Sequence, residues 1–217
     1  MSLKNSTLKH IPPLWAMAVA AALFLFMAFQ VIVTGGSTVD APVYGVVSQF
    51  ISPGLTKIVT VITHMGGEPV LVSLCVVSCL IFWKLCGWRL MAVNGANLLL
   101  ASMLNKLIKV LVQRPRPALE QLVEQGGYSF PSGHSLSAMA FYGLLIIILL
   151  ARLKGKKKFI IAALLGLLVL LIGFSRIYVG VHFASDVIAG LCEGFIWLGV
   201  VSRIPWVARA IAGTARE

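Results

Sequence analysis

Charge is scarce in this chain and acid is scarcest: 7 Asp and Glu stand against 18 Lys and Arg, and charged residues make up only 12% of the 217. Soluble globular domains carry about 25% charged residues, so a water-facing surface of ordinary composition is excluded. Cysteine is also rare. Cys75, Cys79, Cys86 and Cys192 all lie within apolar runs, and their spacing fits neither a disulfide framework nor a zinc site, so each reads as a small buried hydrophobe. The chain has no internal repeat and no low-complexity segment.

Apolar sequence fills the space that charge leaves. Hydrophobic residues reach 59% and the mean hydropathy is +0.96. A helix needs about 20 apolar residues to cross the hydrocarbon core, and the runs near 14–34, 69–85, 90–112, 136–150, 159–174 and 186–202 supply about six. The fold expected is an all-α polytopic membrane helical bundle, with residues 1–217 forming a single membrane-embedded domain. The first run follows Lys4, Lys9 and His10 and lacks a small-x-small cleavage site, which points to a retained helix. Between the first two spans, Pro42, Pro53 and Gly54 interrupt a semi-periodic stretch. Segment 35–68 is therefore expected as short interfacial helices on the outer face.

The net charge of +11 could suggest nucleic acid, but the basic residues are distributed by loop rather than gathered on one soluble face. Twelve of them fall in the N-terminal arm, the loop around Lys84 and Arg89, the run Arg152 to Lys158, and the tail with Arg203, Arg209 and Arg216. The positive-inside rule assigns these segments, and both termini, to the cytoplasm. The remaining six are Lys57, Lys106, Lys109, Arg114, Arg116 and Arg176, and all but Lys57 lie beside polar segments on the opposite side. Arg152 to Lys158 reads as topological, attracting anionic lipid.

Three polar segments sit where apolar runs end: Lys109 to Pro117, Tyr128 to Ser135, and Ser175 to Asp186. An ionisable residue at membrane depth costs about 2.5–3.5 kcal/mol on insertion scales, so such clusters suggest function. With an even number of spans between them, all three emerge on the same face. His182 and Asp186, four apart, would share one face of a helix, and the carboxylate would leave the other ring nitrogen free as base, ligand or nucleophile. Lys109, Arg116 and Arg176, with the Ser132 hydroxyl and the free N–H groups of the helix that the Ser132-Gly133 turn opens, would cradle an anion. Arginine forks match phosphate oxygens. Arg114, outside this set, is a candidate for touching substrate or lipid headgroups.

Lys109-x6-Arg116-Pro117, Pro131-Ser132-Gly133-His134 and Ser175-Arg176-x5-His182-x3-Asp186 resemble, at every motif position, the tripartite signature of the type 2 phosphatidic acid phosphatase superfamily. The small size and compact loops look like its bacterial lipid phosphate phosphatases, the group of phosphatidylglycerophosphatase B and the undecaprenyl pyrophosphate phosphatases. The resemblance implies hydrolysis of a lipid phosphate or pyrophosphate at the outer face of a bacterial inner membrane. It implies that His182 attacks phosphorus and forms a phosphohistidine, that Asp186 fixes its tautomer, and that His134 protonates the leaving oxygen and then activates water. Lys109, Arg116, Ser132, Gly133 and Arg176 would hold the phosphate oxygens.

No cofactor or metal is expected, because the cations around the two histidines would repel a divalent ion and no further acid sits in the motifs. The expected partners are the lipid substrate and membrane lipids, without nucleic acid. A lipid-to-lipid phosphotransferase using the same site and an anion transporter remain as alternatives.

Overall fold

A computed structural model describes residues 9–119 and 121–213; Lys4 and Arg216 of the basic flanks lie outside them. Among the described residues there are nine α-helices: α1 (Leu14–Thr34), α2 (Asp40–Val47), α3 (Pro53–His64), α4 (Glu68–Cys86), α5 (Trp88–Val112), α6 (Gly133–Arg152), α7 (Lys157–Tyr178), α8 (Ala184–Val201) and α9 (Pro205–Ala212). Six of these, α1 and α4 to α8, are long and apolar enough to span a membrane, as expected from the apolar runs. The 35–68 segment holds α2, a short 3-10 turn (Ser48–Phe50) and α3.

The helix ends follow from local chemistry. The helix α1 stops at Gly35, whose N–H returns to the Val31 carbonyl, and Pro53 opens α3 at a position where its missing N–H costs nothing. A single residue, Gly87, separates α4 from α5, so the two pack as an antiparallel pair. Gln113 closes α5 in the left-handed region with φ of 53°, and Arg114, the residue before Pro115, is disfavoured from continuing the helix.

Two boundaries differ from expectation. The helix α6 begins at Gly133 rather than Leu136, because Ser132 caps it by accepting the Ser135 N–H. The helix α7 runs on through Ser175 and Arg176 to Tyr178 rather than ending at Phe174, since no helix-breaking residue intervenes before Gly180, which turns the chain at φ of 75°.

The helices α6 and α8 form the centre. Over half of each spanning window is buried, 56% and 61%, against 11–33% in the four outer spans, whose faces are left for lipid. Leu71, Leu98, Ala138, Phe141, Val169 and Ile172 fill the middle of the bundle. Buried amides bridge the helices across it: Asn97 donates to the Ala140 carbonyl at 2.8 Å and accepts from the Trp197 indole at 2.9 Å. Such bonds hold helices together where lipid supplies no hydrophobic drive between them.

The two ends of the bundle are different. At one, Arg203 reaches the Pro12 carbonyl at 2.6 Å, Arg152 caps the end of α9 through the Ala210 and Ile211 carbonyls, and Trp88 packs on Trp206. The basic flanks therefore collect together. At the other end, Val47 and Val59 from the 35–68 segment pack on Ile177, Tyr178, Val179 and Val181. Tyr178 ties down α3, its hydroxyl accepting the Ser52 N–H at 3.2 Å and lying 3.1 Å from Thr56 Oγ1. That second end gathers all three polar segments.

Candidate active site

The turn between α7 and α8 is pinned at both sides. The Arg176 carbonyl accepts the N–H groups of Val181 and His182, at 3.3 and 3.2 Å. Asp186, in the first turn of α8, returns to the Phe183 N–H at 2.9 Å, satisfying a donor that the helix start leaves open. His182 thus precedes α8 instead of sharing a helical face with Asp186. Their contact, Nδ1 to Oδ2 at 3.4 Å, is made across the helix N-terminus.

Ser129 completes this contact. Its Oγ donates to Asp186 Oδ2 at 2.5 Å and lies 3.2 Å from His182 Nδ1. An ionised carboxylate only accepts, so the hydroxyl proton points at Asp186 and the serine oxygen must accept from Nδ1–H. The opposite side of the ring agrees: Arg116 Nη1, which can only donate, lies 3.2 Å from Nε2. Both contacts require the tautomer with the proton on Nδ1 and a lone pair on Nε2. Burial lowers the His182 pKa to about 4, with Asp186 opposing the fall and Arg116 and Lys109 adding to it, so the ring is neutral near pH 7.

The cations are anchored by neutral oxygens. Arg116 donates to Gly126, Gly127 and Val181, and burial lowers its pKa while Asp186 opposes. Lys109 reaches the Tyr128 and Ser129 carbonyls at 2.7 and 3.1 Å. Arg176 is 1% exposed, with one nitrogen on Thr63 Oγ1 at 2.7 Å and another on Gln125 Oε1 at 2.9 Å. The neutral, fixed partners hold the guanidinium groups in place without cancelling their charge.

A cavity of about 710 Å³ opens onto this cluster. Lys109, Arg116, Gly133, His134 and His182 line one part of it, and Leu71, Val72, Val76, Leu98 and Leu99 of α4 and α5 line the other. A cationic pocket thus continues into an apolar groove between two lipid-facing helices. The turn after α3 passes over His134 without room for a side chain: a Cβ on Gly66 would collide with Ile172 and lie 3.4 Å from the His134 ring.

Of the residues singled out from the sequence, Lys109, Arg116, Gly133, His134 and His182 share the cavity wall. Asp186 and Arg176 stand behind that wall, each under 2% exposed. Ser132 is also fully buried, its hydroxyl turned into the first turn of α6 and its N–H on the Asp186 carbonyl at 2.9 Å; it joins α6 to α8 instead of facing the cavity. Arg114 departs from expectation as well. It is 4% exposed and points inward to Asp186, Ser185 and Asp40, so it cannot reach substrate or headgroups. Ser129, Thr63, Gln125 and Asp40 escaped the sequence reading, and no spacing or periodicity marks them. Among the described residues no group of His, Cys, Asp or Glu is placed to hold a metal ion.

Comparison with known proteins places this arrangement. A family model described as the PAP2 superfamily matches residues 89–210, which include every motif residue and exclude the 35–68 segment. The chain is 31% identical over 179 residues to phosphatidylglycerophosphatase B of Bacillus subtilis (strain 168), covering 80% of this chain and 86% of that one. It is 29% identical over 169 residues to lipid phosphate phosphatase delta of Arabidopsis thaliana, covering 72% and 38%. Among solved structures, the transmembrane PAP2 type phosphatidylglycerolphosphate phosphatase of Bacillus subtilis superposes with a TM-score of 0.75 at 29% identity, covering 86% of this chain and 94% of that one. LpxE of Aquifex aeolicus superposes with a TM-score of 0.60 at 27% identity, covering 76% and 95%.

Proposed function

As the chain belongs to the PAP2 superfamily and is a membrane lipid phosphatase, we propose that it hydrolyses a lipid phosphate or pyrophosphate through a phosphohistidine on His182, at the outer face of a bacterial inner membrane. The observation that carries this reading is the His182 ring. It is neutral, its proton is held on Nδ1 by Ser129 and Asp186, its Nε2 accepts from Arg116, and the residue lines a cavity that is cationic at one end and apolar at the other.

In the first step Nε2 forms a bond to phosphorus, the bond from phosphorus to the leaving oxygen breaks, and His134 gives that oxygen a proton. An alkoxide leaves poorly, which is why an acid is needed. In the second step His134 takes a proton from water, the hydroxide attacks phosphorus, and the N–P pair returns to Nε2 as inorganic phosphate departs. Arg116 and Lys109 hold the equatorial oxygens, with the N–H groups at the start of α6 beside Gly133 and with Arg176 behind them. Ser132 serves this cradle by fixing the helix start. Arg116 donates to Nε2, and an arriving phosphate oxygen, a stronger acceptor, draws that donor away and frees the lone pair.

The apolar groove between α4 and α5 suits an acyl or prenyl tail. Undecaprenyl pyrophosphate and phosphatidylglycerophosphate are the leading substrates, with phosphatidic acid behind, and the likeness to phosphatidylglycerophosphatase B supports phosphatidylglycerophosphate among them. The face follows from charge. Basic flanks collect at the far end of the bundle from the site, and the positive-inside rule assigns that end, with both termini, to the cytoplasm.

The test is inorganic phosphate release by purified protein from the three lipids side by side, with His182→Ala as control. Release from at least one lipid and none from the variant is expected. Undiminished release by the variant would remove His182 as nucleophile. Loss of lipid phosphate without free phosphate would favour transfer to another lipid.

A further inference from the structure

The mechanism above gives Asp40 no role. Asp40, in the first turn of α2, is 8% exposed and lies outside the matched family region. Its Oδ2 accepts Arg114 Nη2 at 2.6 Å and the Ser37 N–H at 3.0 Å, and its Oδ1 accepts the Ser185 N–H at 2.9 Å. Arg114 in turn donates through Nη1 to Asp186 Oδ1 at 2.6 Å and to Ser185 Oγ at 2.8 Å, with its guanidinium 3.9 Å over the Phe183 ring. Three buried ionised side chains thus form a row, Asp40, Arg114, Asp186, and His182 stands at its end.

A buried Asp–Arg pair is neutral as a unit. Were Arg114 paired with Asp186 alone, the guanidinium would cancel much of the negative field that Asp186 casts on the His182 ring, and little solvent is present to screen either charge. A second carboxylate on the far side of Arg114 returns the row to a net charge of −1. The energetic need for that charge arises at His182, where the ring becomes cationic as the N–P bond forms. We propose that Asp40 is a positioning residue for catalysis, offsetting the charge of Arg114 so that Asp186 keeps its negative field on His182, which makes the 35–68 segment part of the catalytic apparatus. The proposal rests on the reading of His182 as nucleophile.

A tether alone would fill the same space, so the experiment must separate charge from packing. Asp40→Asn keeps the shape and leaves one oxygen to accept the Ser185 N–H. Single-turnover consumption of a lipid phosphate is measured by rapid quench on the detergent-solubilised protein, alongside steady-state kcat and KM. The expected result for Asp40→Asn is a loss of about tenfold or more in the single-turnover rate with KM within about threefold. The combination Asp40→Asn with Arg114→Gln removes one charge of each sign and restores −1 at the row. It should run faster than Asp40→Asn alone, a non-additivity that independent packing defects would not produce.

A wild-type rate in Asp40→Asn, or a double variant no faster than the single one, overturns the proposal. If Asp40→Asn does not yield folded protein, the double variant decides by itself: within about tenfold of the parent supports the charge argument, and a loss beyond about a hundredfold overturns it. His182→Ala is run beside them. Activity in that variant would refute the nucleophile, whereas an inactive His182→Ala with an unaffected Asp40→Asn refutes only the role of Asp40.

Discussion

Replacing Ser129 by alanine tests the geometry of the nucleophile most directly. The hydroxyl donates to Asp186 Oδ2 at 2.5 Å and receives His182 Nδ1–H at 3.2 Å, and the residue is fully buried. Its removal leaves Asp186 satisfied, because Oδ2 still accepts the Phe183 N–H and Oδ1 still accepts Arg114. His182 fares worse: the remaining partner of its Nδ1–H is the long 3.4 Å contact to Asp186. A hydrogen bond to a charged group contributes about 1.5–3 kcal/mol, and about 1.4 kcal/mol is a factor of ten in rate. If the bond acts mainly in the transition state, kcat should fall about ten- to a hundredfold while KM moves little, since Ser129 Oγ lies behind the ring and away from the cavity. The assay is steady-state phosphate release from a lipid phosphate across a concentration series, with a thermal unfolding curve to show that the variant is folded. A kcat within twofold of the parent, or a loss confined to KM, would refute the proposed hydrogen-bonded chain from Asp186 through Ser129 to His182.

Protonation gives a second expectation. The His182 pKa is about 4 in the fold against an ordinary value of 6.5, so the unfolded chain binds more protons between these values. Stability should be fully present above pH 6.5 and decline as the pH falls toward 4, by up to about 3 kcal/mol; a His182→Gln variant whose melting temperature falls equally across that range would contradict this. Packing gives a third. A Cβ on Gly190 would collide with the Ser132 carbonyl and lie 3.1 Å from Ser135 Cβ, so Gly190→Ala should force α8 off α6 and cost about 1–3 kcal/mol or more, and an unchanged melting temperature would show that the helices can separate freely. Lastly, phosphate release should persist in EDTA, since cations rather than a metal are proposed to hold the phosphate. Complete loss with rescue by magnesium would overturn that.

Much of this protein could be read along its sequence. Apolar runs of spanning length located the six helices that can cross a membrane among the described residues, because the bilayer imposes one length and one composition on anything that crosses it. Pro53, Gly54 and Pro42 marked the broken segment that became α2 and α3. The candidate cations and histidines were legible because charge at the end of an apolar run is costly and therefore conspicuous. What escaped were side chains whose roles depend on distant partners. Ser129 looks like any loop serine until it meets Asp186, 57 residues away. Asp40 carries no mark in the sequence until folding brings it against Arg114 and Ser185, 74 and 145 residues on. The turning of Arg114 inward, and of Ser132 onto its own helix, was likewise settled by which acceptors the fold placed within reach. Periodicity reports the face on which a residue lies and charge reports where burial is costly, but the partner that makes burial tolerable exists only once the helices have packed.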